Sequence, residues 1–225
     1  MNKYLLPKKP DAIRPFLVIC EGMSDARFLC ELLTFKGIDT CSVGCPSDEF
    51  GGGSGLQAIP EYLIAVQGFI KGRIQELRGI LIMVDANDKP AKRFSSMQEA
   101  LSVADFPVPS KAFTIEGDDP RVAIFLLPKE GENGTLDSLL LEAALKRAPK
   151  MRACLDNFCD CTGKVKSWTQ NQQSKMRLSA LVAASCRKNP WASAAIMWSE
   201  KGNPVPIKSE CFNHISEFLT AFSTL

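Results

Sequence analysis

The stretch FLVICEGMSDARFLCELL, residues 16–33, contains the pattern that decides the fold. Its first five residues form an unbroken apolar run, which predicts a strand buried on both faces. Glu21 and Gly22 break the run, and Ser24 can cap a helix that has Asp25 in its first turn. Apolar residues then recur at helical spacing as far as Gly37, a residue type that commonly ends helices. The stretch therefore predicts a strand, a turn with two carboxylates and a helix.

A second stretch repeats this order. Residues 79–84, GILIMV, predict another buried strand, which ends at Asp85, Ala86, Asn87 and Asp88. Pro90 is then placed to open a helix, because proline is favoured at the first helical position. Two separate buried strands are therefore each followed by carboxylates.

The rest of the chain continues to alternate between strands and helices. Further strands are predicted at 40–43, 111–115 and 122–127, with a hairpin turn at 117–120 joining the last two. Further helices are predicted at 56–67, after Thr135, within 171–188 and at the C-terminus. This alternation predicts an α/β fold, a mainly parallel sheet with helices on both faces. Ligands bind beyond the carboxyl ends of such strands, where Glu21 and Asp85 would converge if their strands are neighbours.

Length and composition indicate an ordinary globular protein. The chain has 225 residues, of which 45% are hydrophobic and 23% charged, and we expect one domain over residues 1–225. The net charge of +2 provides no general attraction to nucleic acid, so such binding needs a local basic patch or a metal ion. No apolar run is long enough to span a membrane or to form a signal peptide, so we expect a cytoplasmic protein.

The residue inventory excludes several enzyme classes. With His214 as the single histidine, general-base chemistry by histidine and multi-histidine metal sites are not expected. The sequence has neither a GxxxxGK[ST] loop nor a GxSxG elbow. The nine cysteines fit buried free thiols better than a disulfide framework. Cys154, Cys159 and Cys161 have a spacing that raises zinc as an alternative, but they lack a paired CxxC.

The gathered carboxylates point to a hard metal ion. Carboxylates at one place repel each other unless a cation neutralises them. Oxygen ligands suit Mg²⁺ or Mn²⁺, which can polarise a phosphoryl oxygen and activate water without a histidine. The competing interpretation is that each carboxylate caps the helix that follows its strand.

These residues resemble the motifs of TOPRIM domains. FLVICEGMSDARFL is similar to the first motif, an apolar strand that ends in Glu-Gly, with Asp three positions beyond the Gly. LIMVDANDKP is similar to the second motif, where the family usually carries Asp-x-Asp; here Asn87 replaces the second Asp and Asp88 follows. TOPRIM domains occur in topoisomerases, primases, recombination proteins and OLD-family nucleases. The resemblance implies a Rossmann-like TOPRIM core at about 14–150 and a helical C-terminal addition at about 151–225.

Three later segments are similar to OLD-like and related small TOPRIM proteins. They are VDANDKPAKRF, GTLDSLLLEAAL and SKMRLSALVA. The resemblance implies that Asp137 joins the metal site and that Lys175 neutralises a scissile phosphate. The alternatives are that Asp137 favours the start of its helix and that Lys175 is a solvated lysine.

The resemblance also implies roles for the residues near the two strand ends. Glu21 would be a metal ligand or general base, and Asp85 the central ligand. Asp25, Asn87 and Asp88 would complete the set, although ordinary turn and helix-start chemistry also explains them. Lys89, Lys92 and Arg93 are candidates for holding nucleic-acid phosphates, with a solvated helix face as the alternative.

The function implied is a nuclease that uses Mg²⁺ or Mn²⁺ to hydrolyse DNA or RNA. OLD-type TOPRIM domains usually work with an ATPase, so a partner ATPase in trans is implied, and a role in phage defence follows only by analogy. The alternative is a non-catalytic module that binds nucleic acid or nucleotide, which the Asn at position 87 favours. A topoisomerase- or primase-like role is disfavoured, because the sequence shows neither a tyrosine in a nucleophile context nor a zinc-binding partner domain. The oligomeric state is open, with a homodimer among the alternatives.

Overall fold

The computed structural model describes residues 14–46, 55–72, 77–163 and 165–224. The strands are β1 (Phe16–Cys20), β2 (Cys41–Gly44), β3 (Gly79–Asp85) and β4 (Arg121–Leu127). The helices are α1 (Met23–Lys36), α2 (Ile59–Gly72), α3 (Pro90–Val103), α4 (Leu136–Arg147), α5 (Lys150–Thr162), α6 (Gln170–Ser185) and α7 (Asn213–Ser223). Short 3-10 turns cover Leu56–Ala58, Val165–Ser167, Met197–Ser199 and Glu210–Phe212. None of the helices in these ranges is both long and apolar enough to cross a membrane.

The four strands form one parallel sheet in the order β2-β1-β3-β4. The two strands predicted to be buried, β1 and β3, lie side by side in its centre, where Cys20 pairs with Met83. The continuous apolar sequences of these strands reflect this central position, since both of their faces are covered. The predicted α/β class, a parallel sheet with helices on both faces, is confirmed.

Side chains alternate along each strand and divide the core into two layers. Phe16, Val18 and Cys20 pack with α1, α4, α6 and α7 on one face. Leu17 and Ile19 pack with α2 and α3 on the other. We call these the α1 face and the α3 face. The period of two also places Asp85 on the α1 face, since Leu81 and Met83 of the same strand lie there.

The prediction of a strand at 111–115 is wrong. Phe113 has a φ of 62°, in the left-handed region, which interrupts any extended strand. The hydroxyl of Thr114 donates to the carbonyl of Lys111 at 2.7 Å, so the segment folds back on itself. Only an isolated antiparallel bridge between Glu116 and Val122 remains of the expected hairpin.

The C-terminal helices belong to the same core as the sheet. Leu178, Leu181 and Val182 of α6 are buried in the α1-face layer. In α7, the ring of Phe222 packs edge-on against that of Phe16, with centroids 5.4 Å apart. The region expected as a helical addition therefore covers one side of the sheet.

The packing of α7 on the sheet predicts opposite effects for two Gly→Ala changes. A Cβ at Gly79 would lie 2.8 Å from Phe16 and 2.8 Å from Phe222, so Gly79→Ala should destabilise the protein by about 1–3 kcal/mol. The control Gly68→Ala, in α2 with open space around it, should stabilise the protein by about 0.4–1 kcal/mol. Urea unfolding measures both. Equal stabilities for Gly79→Ala and wild type would contradict this packing.

Candidate functional site

Four elements bring carboxylates to the carboxyl edge of the sheet. Glu21 follows β1, Asp85 ends β3, and Asp25 and Asp137 lie in the first turns of α1 and α4. All four line one cavity of about 620 Å³, which we call the acidic cavity. The cavity forms here because both helices start on the face to which Asp85 points.

Backbone amides hold three of these side chains in place. The amide of Asp85 donates to Glu21 Oε1 at 2.9 Å, which joins the ends of β1 and β3. The amide of Leu136, at the start of α4, donates to Asp85 Oδ1 at 2.8 Å. The amide of Gly22 donates to Asp25 Oδ2 at 3.1 Å. Each of these carboxylates therefore has one oxygen fixed by the scaffold.

Burial and mutual repulsion raise the pKa values of the group. Burial and the charge of Glu21 raise the pKa of Asp25 from 3.8 to about 7, although the Gly22 amide lowers it. Burial, with the charges of Asp25 and Glu21, raises the pKa of Asp85 well above its usual value. Burial also raises the pKa of Glu21 and of Asp137. Ionising all four carboxyl groups together therefore costs free energy, and the raised pKa values favour their protonated forms.

Nearby cations offset only part of this charge. Lys175, which is exposed on α6 and lines the acidic cavity, lowers the pKa of Asp137. Arg93 lowers the pKa of Glu21 from the side of α3. Among the residues that the structure describes, none of the four carboxylates forms a direct ion pair. The described cations therefore compensate only part of the charge that the four carboxylates carry when ionised.

Asn87 and Asp88 lie away from the acidic cavity. Asn87 has a φ of 53° and exchanges two backbone hydrogen bonds with Gly134, at 2.8 and 3.0 Å. Its side-chain oxygen accepts from Asn171 Nδ2 at 3.0 Å. Asp88 is exposed. The structure thus does not bring these two predicted ligands together with Asp25 and Asp137.

A second cavity, which we call the basic cleft, lies on the other side of Glu21. It has a volume of about 770 Å³ and is lined by Glu21, Leu56, Gln57, Asn87, Asp88, Lys89, Lys92, Arg93 and Ser96. Three of these residues are cations from the start of α3, and Glu21 is common to both cavities. An anionic region and a cationic region therefore meet at this residue.

Some residues of the site could not be anticipated from motifs. Asn171 contacts Asn87 from 84 positions away, so no local pattern reveals the pair. Gly55 donates from its amide to the carbonyl of Glu21 at 3.1 Å and lines the acidic cavity. It is the last residue of the glycine-rich loop 51–55, whose other residues, 51–54, lie outside the described ranges.

Comparison with known families gives one match. The model of the family described as "Protein of unknown function (DUF3226)" matches residues 15–223. The chain belongs to this family. No curated protein and no solved structure matches it. The DUF3226 match includes every candidate residue and also α5, α6 and α7, so the family unit contains the C-terminal helices as well as the sheet.

The carboxylates of the DUF3226 chain match a divalent ion in chemistry more closely than in arrangement. The chemistry fits, because clustered carboxylate oxygens are the ligands that Mg²⁺ and Mn²⁺ prefer. The arrangement fits less well: in the described ranges, no three His, Cys, Asp or Glu side chains stand close enough together to hold a metal. The second oxygens of Glu21 and Asp85 accept no hydrogen bond from described residues, so these carboxylates can turn towards an ion.

The cysteines that raised the zinc alternative do not converge. Cys154, Cys159 and Cys161 all lie on α5, where the first and last are exposed and Cys159 is buried. The Nε2 of His214 contacts the carbonyl oxygen of Pro128 at 2.7 Å, so this nitrogen is engaged after β4 and not at α5. The described residues therefore provide no zinc site here.

The raised pKa of Asp25 predicts a pH-dependent cost to folding. Between the unfolded pKa of 3.8 and the folded value of about 7, the unfolded chain ionises more readily, so wild-type stability should fall as pH rises and then level off. Asp25→Asn removes the charge and keeps an oxygen for the Gly22 amide. Without metal, it should be more stable than wild type by about 1–4 kcal/mol at pH 8 and similar at pH 4.

Urea unfolding in EDTA at pH 4, 6 and 8 measures this difference. Asp160→Asn, which changes an exposed carboxylate on α5, is the control and should show no such trend. A difference between Asp25→Asn and wild type that stays constant across these pH values would show that Asp25 ionises normally.

Proposed function

We propose that this DUF3226 chain is a TOPRIM-type phosphodiesterase that hydrolyses DNA or RNA with Mg²⁺ or Mn²⁺. The observation that carries the proposal is the acidic cavity, in which four elements place half-buried carboxylates at the edge where parallel sheets bind ligands. Helix capping alone does not account for it, because Glu21 and Asp85 are fixed to each other across two strands.

The residues of the cavity suit phosphodiester hydrolysis. A bound Mg²⁺ or Mn²⁺ would supply charge stabilisation at a phosphoryl oxygen, with Glu21, Asp25, Asp85 and Asp137 as its candidate ligands. Glu21 has a raised pKa, which makes it a stronger base than an exposed glutamate and suits it to take a proton from water. Lys175 lines the same cavity from α6 and is placed to neutralise a phosphate.

The basic cleft supports a nucleic acid as the substrate. Lys89, Lys92 and Arg93 add positive charge beside Glu21, although the chain as a whole has a net charge of only +2. A strand whose scissile phosphate lies near Glu21 would place neighbouring phosphates in the cleft. Such contacts hold the backbone and carry no sequence information, which fits hydrolysis without strong base preference. A partner ATPase in trans remains an implication of the TOPRIM resemblance.

A non-catalytic binding module is the second candidate. Two observations favour it: Asn87 is held by Gly134 and Asn171 and does not line the acidic cavity, and the described carboxylates do not form a compact metal cage. In this alternative the acidic cavity would hold a metal-bound nucleotide or nucleic acid without cutting it. The two candidates agree on binding and differ on cleavage.

Cleavage assays separate the two candidates. Supercoiled plasmid, single-stranded DNA and single-stranded RNA are incubated with Mg²⁺, Mn²⁺ or EDTA. Glu21→Gln and Asp85→Asn, which retain oxygens for the Asp85 and Leu136 amides, should each lower the cleavage rate by about 100-fold or more. Glu99→Gln, on the exposed side of α3, is the control and should cleave as wild type does.

Each result of these assays has a defined meaning. Cutting that persists in both variants contradicts the assignment of Glu21 and Asp85. If wild type does not cut, but calorimetry shows Mn²⁺ binding that both variants lose, the non-catalytic module is favoured. If wild type and Glu99→Gln cut in the presence of metal, and Glu21→Gln and Asp85→Asn do not, the nuclease function is supported.

A binding measurement in EDTA tests the basic cleft separately from catalysis. Lys89→Glu/Lys92→Glu reverses two charges and leaves Arg93, the cation that acts on Glu21, in place. Acidic residues are tolerated at helix starts, so the variant should fold. Affinity for a labelled single strand should fall, and the slope of log K against log salt should become shallower by about 1.4.

The matched control is Arg187→Glu/Lys188→Glu, which makes the same charge change at an exposed turn that lines neither cavity. Fluorescence anisotropy over a salt series gives both affinity and slope. If both double variants lose affinity for the strand equally, the effect comes from net charge alone, and the basic cleft is not the binding surface.

A further inference from the structure

The ends of β1 and β2 bring two cysteines together beside the start of α1. The strands are parallel and Ile19 pairs with Gly44, so Cys20 and Cys45 are the next residues in register. Both pack against the α1-face layer, and so their side chains lie on the same side of the sheet. The thiol of Cys20 reaches towards the end of β2, with its Sγ 3.6 Å from the carbonyl oxygen of Gly44, the residue before Cys45.

A third sulfur completes the group. Met23, the first residue of α1, has its Sδ 3.6 Å from Cys45 Sγ. Two sulfurs bound to one metal at about 2.3 Å would be separated by about 3.8–4.0 Å, depending on whether the geometry is tetrahedral or trigonal. The observed separation is close to this range, so small side-chain movements would allow a shared ion.

We propose that Cys20, Met23 and Cys45 form a binding site for copper(I). Two thiolates and a thioether are soft ligands, and such ligands select Cu(I). Zinc is disfavoured because its protein ligands are Cys, His and carboxylate, and the single histidine is bonded elsewhere. On binding, each thiol releases one proton to the solvent and the copper keeps its oxidation state. The three sulfurs adjoin the acidic cavity, which Met23 also lines, but the inference does not rest on the proposed nuclease function.

The surroundings of the three sulfurs also favour a cation. The sulfur of Cys20 lies 3.6 Å from the carbonyl oxygens of both Gly22 and Gly44, so one thiol hydrogen faces several acceptors. The carboxylate of Asp25 acts electrostatically on both thiols and adds negative potential. The sulfur and carbonyl oxygen atoms here therefore have more lone pairs than the thiol hydrogens can occupy, and a cation could bind to those that remain.

The group is accessible from one side. Cys20 is fully buried, whereas Cys45 is partly buried and Met23 is 45% exposed. An ion can therefore reach the sulfurs past Met23 while the sheet shields the far side. Burial of this kind protects copper from water without blocking its entry.

Copper(I) titration of the reduced full-length protein tests the site. Under anaerobic conditions, with bicinchoninate as the competing chelator, wild type should retain one tightly bound copper. Cys45→Ser should lose it, and Met23→Leu should weaken it by about 10- to 100-fold. X-ray absorption of the copper-bound protein should show sulfur ligands only. Circular dichroism establishes that both variants are folded.

The exposed cysteines of α5 provide the control. Cys154→Ser/Cys161→Ser removes two exposed thiols and should leave the tight copper in place. The proposal is overturned if this control loses the copper, if Met23→Leu binds as tightly as wild type, or if Zn²⁺ displaces Cu(I) at equal concentration. It is also overturned if the folded wild type binds no copper and forms a Cys20–Cys45 disulfide in air instead.

Discussion

The parallel pairing of β1 with β3 is the constraint on which the rest of the structure depends. Because Cys20 is in register with Met83, Glu21 comes to lie beside Asp85, and the Asp85 amide bonds to the Glu21 carboxylate. A shift of one residue would turn every side chain of the moved strand to the opposite face. The apolar residues that fill both core layers therefore fix the positions of the two carboxylates, and stability and site geometry have the same origin.

This arrangement has an electrostatic cost that the backbone offsets only in part. The amides that bond to the carboxylates come from strand and helix ends, where amides lack partners of their own. Even so, the pKa of Asp25 remains near 7 and that of Asp85 well above its usual value. A fold that needed only helix capping would not require two strand ends and two helix starts to converge. The retained repulsion is what a cation would relieve on binding.

The sequence was sufficient for the features that depend on local patterns. The continuous apolar runs before Glu21 and Asp85 predicted buried strands, and the helix predicted after Thr135 is α4, which the Thr135 side chain caps. The strand order was not predictable, because the strands pair across loops whose sequences do not specify the neighbour. The strand at 111–115 failed because the left-handed backbone of Phe113 is stabilised by tertiary contacts, including its ring on Phe125.

The candidate site was predictable to a similar extent. Glu21, Asp25, Asp85 and Asp137 each follow a strand or open a helix, and such positions converge in any parallel sheet with this strand order. Asn87 follows the same local rule, yet its contacts with Gly134 and Asn171 hold it on the other side of Glu21. The pairing of Cys45 with Cys20 depends on the register of β2 and has no counterpart in the cysteine spacing. Residues whose place depends on distant segments were therefore the ones that motifs left undetermined.

The position of Glu21 explains how one edge of the sheet presents a negative region and a positive region side by side. Asp85 points to the α1 face, where the first turns of α1 and α4 add Asp25 and Asp137. The start of α3 belongs to the other face and brings Lys89, Lys92 and Arg93. Glu21 directly follows β1 and lines both the acidic cavity and the basic cleft. A cation on one side and a phosphate chain on the other would each reduce the cost of the neighbouring charges, so binding of either would favour binding of the other.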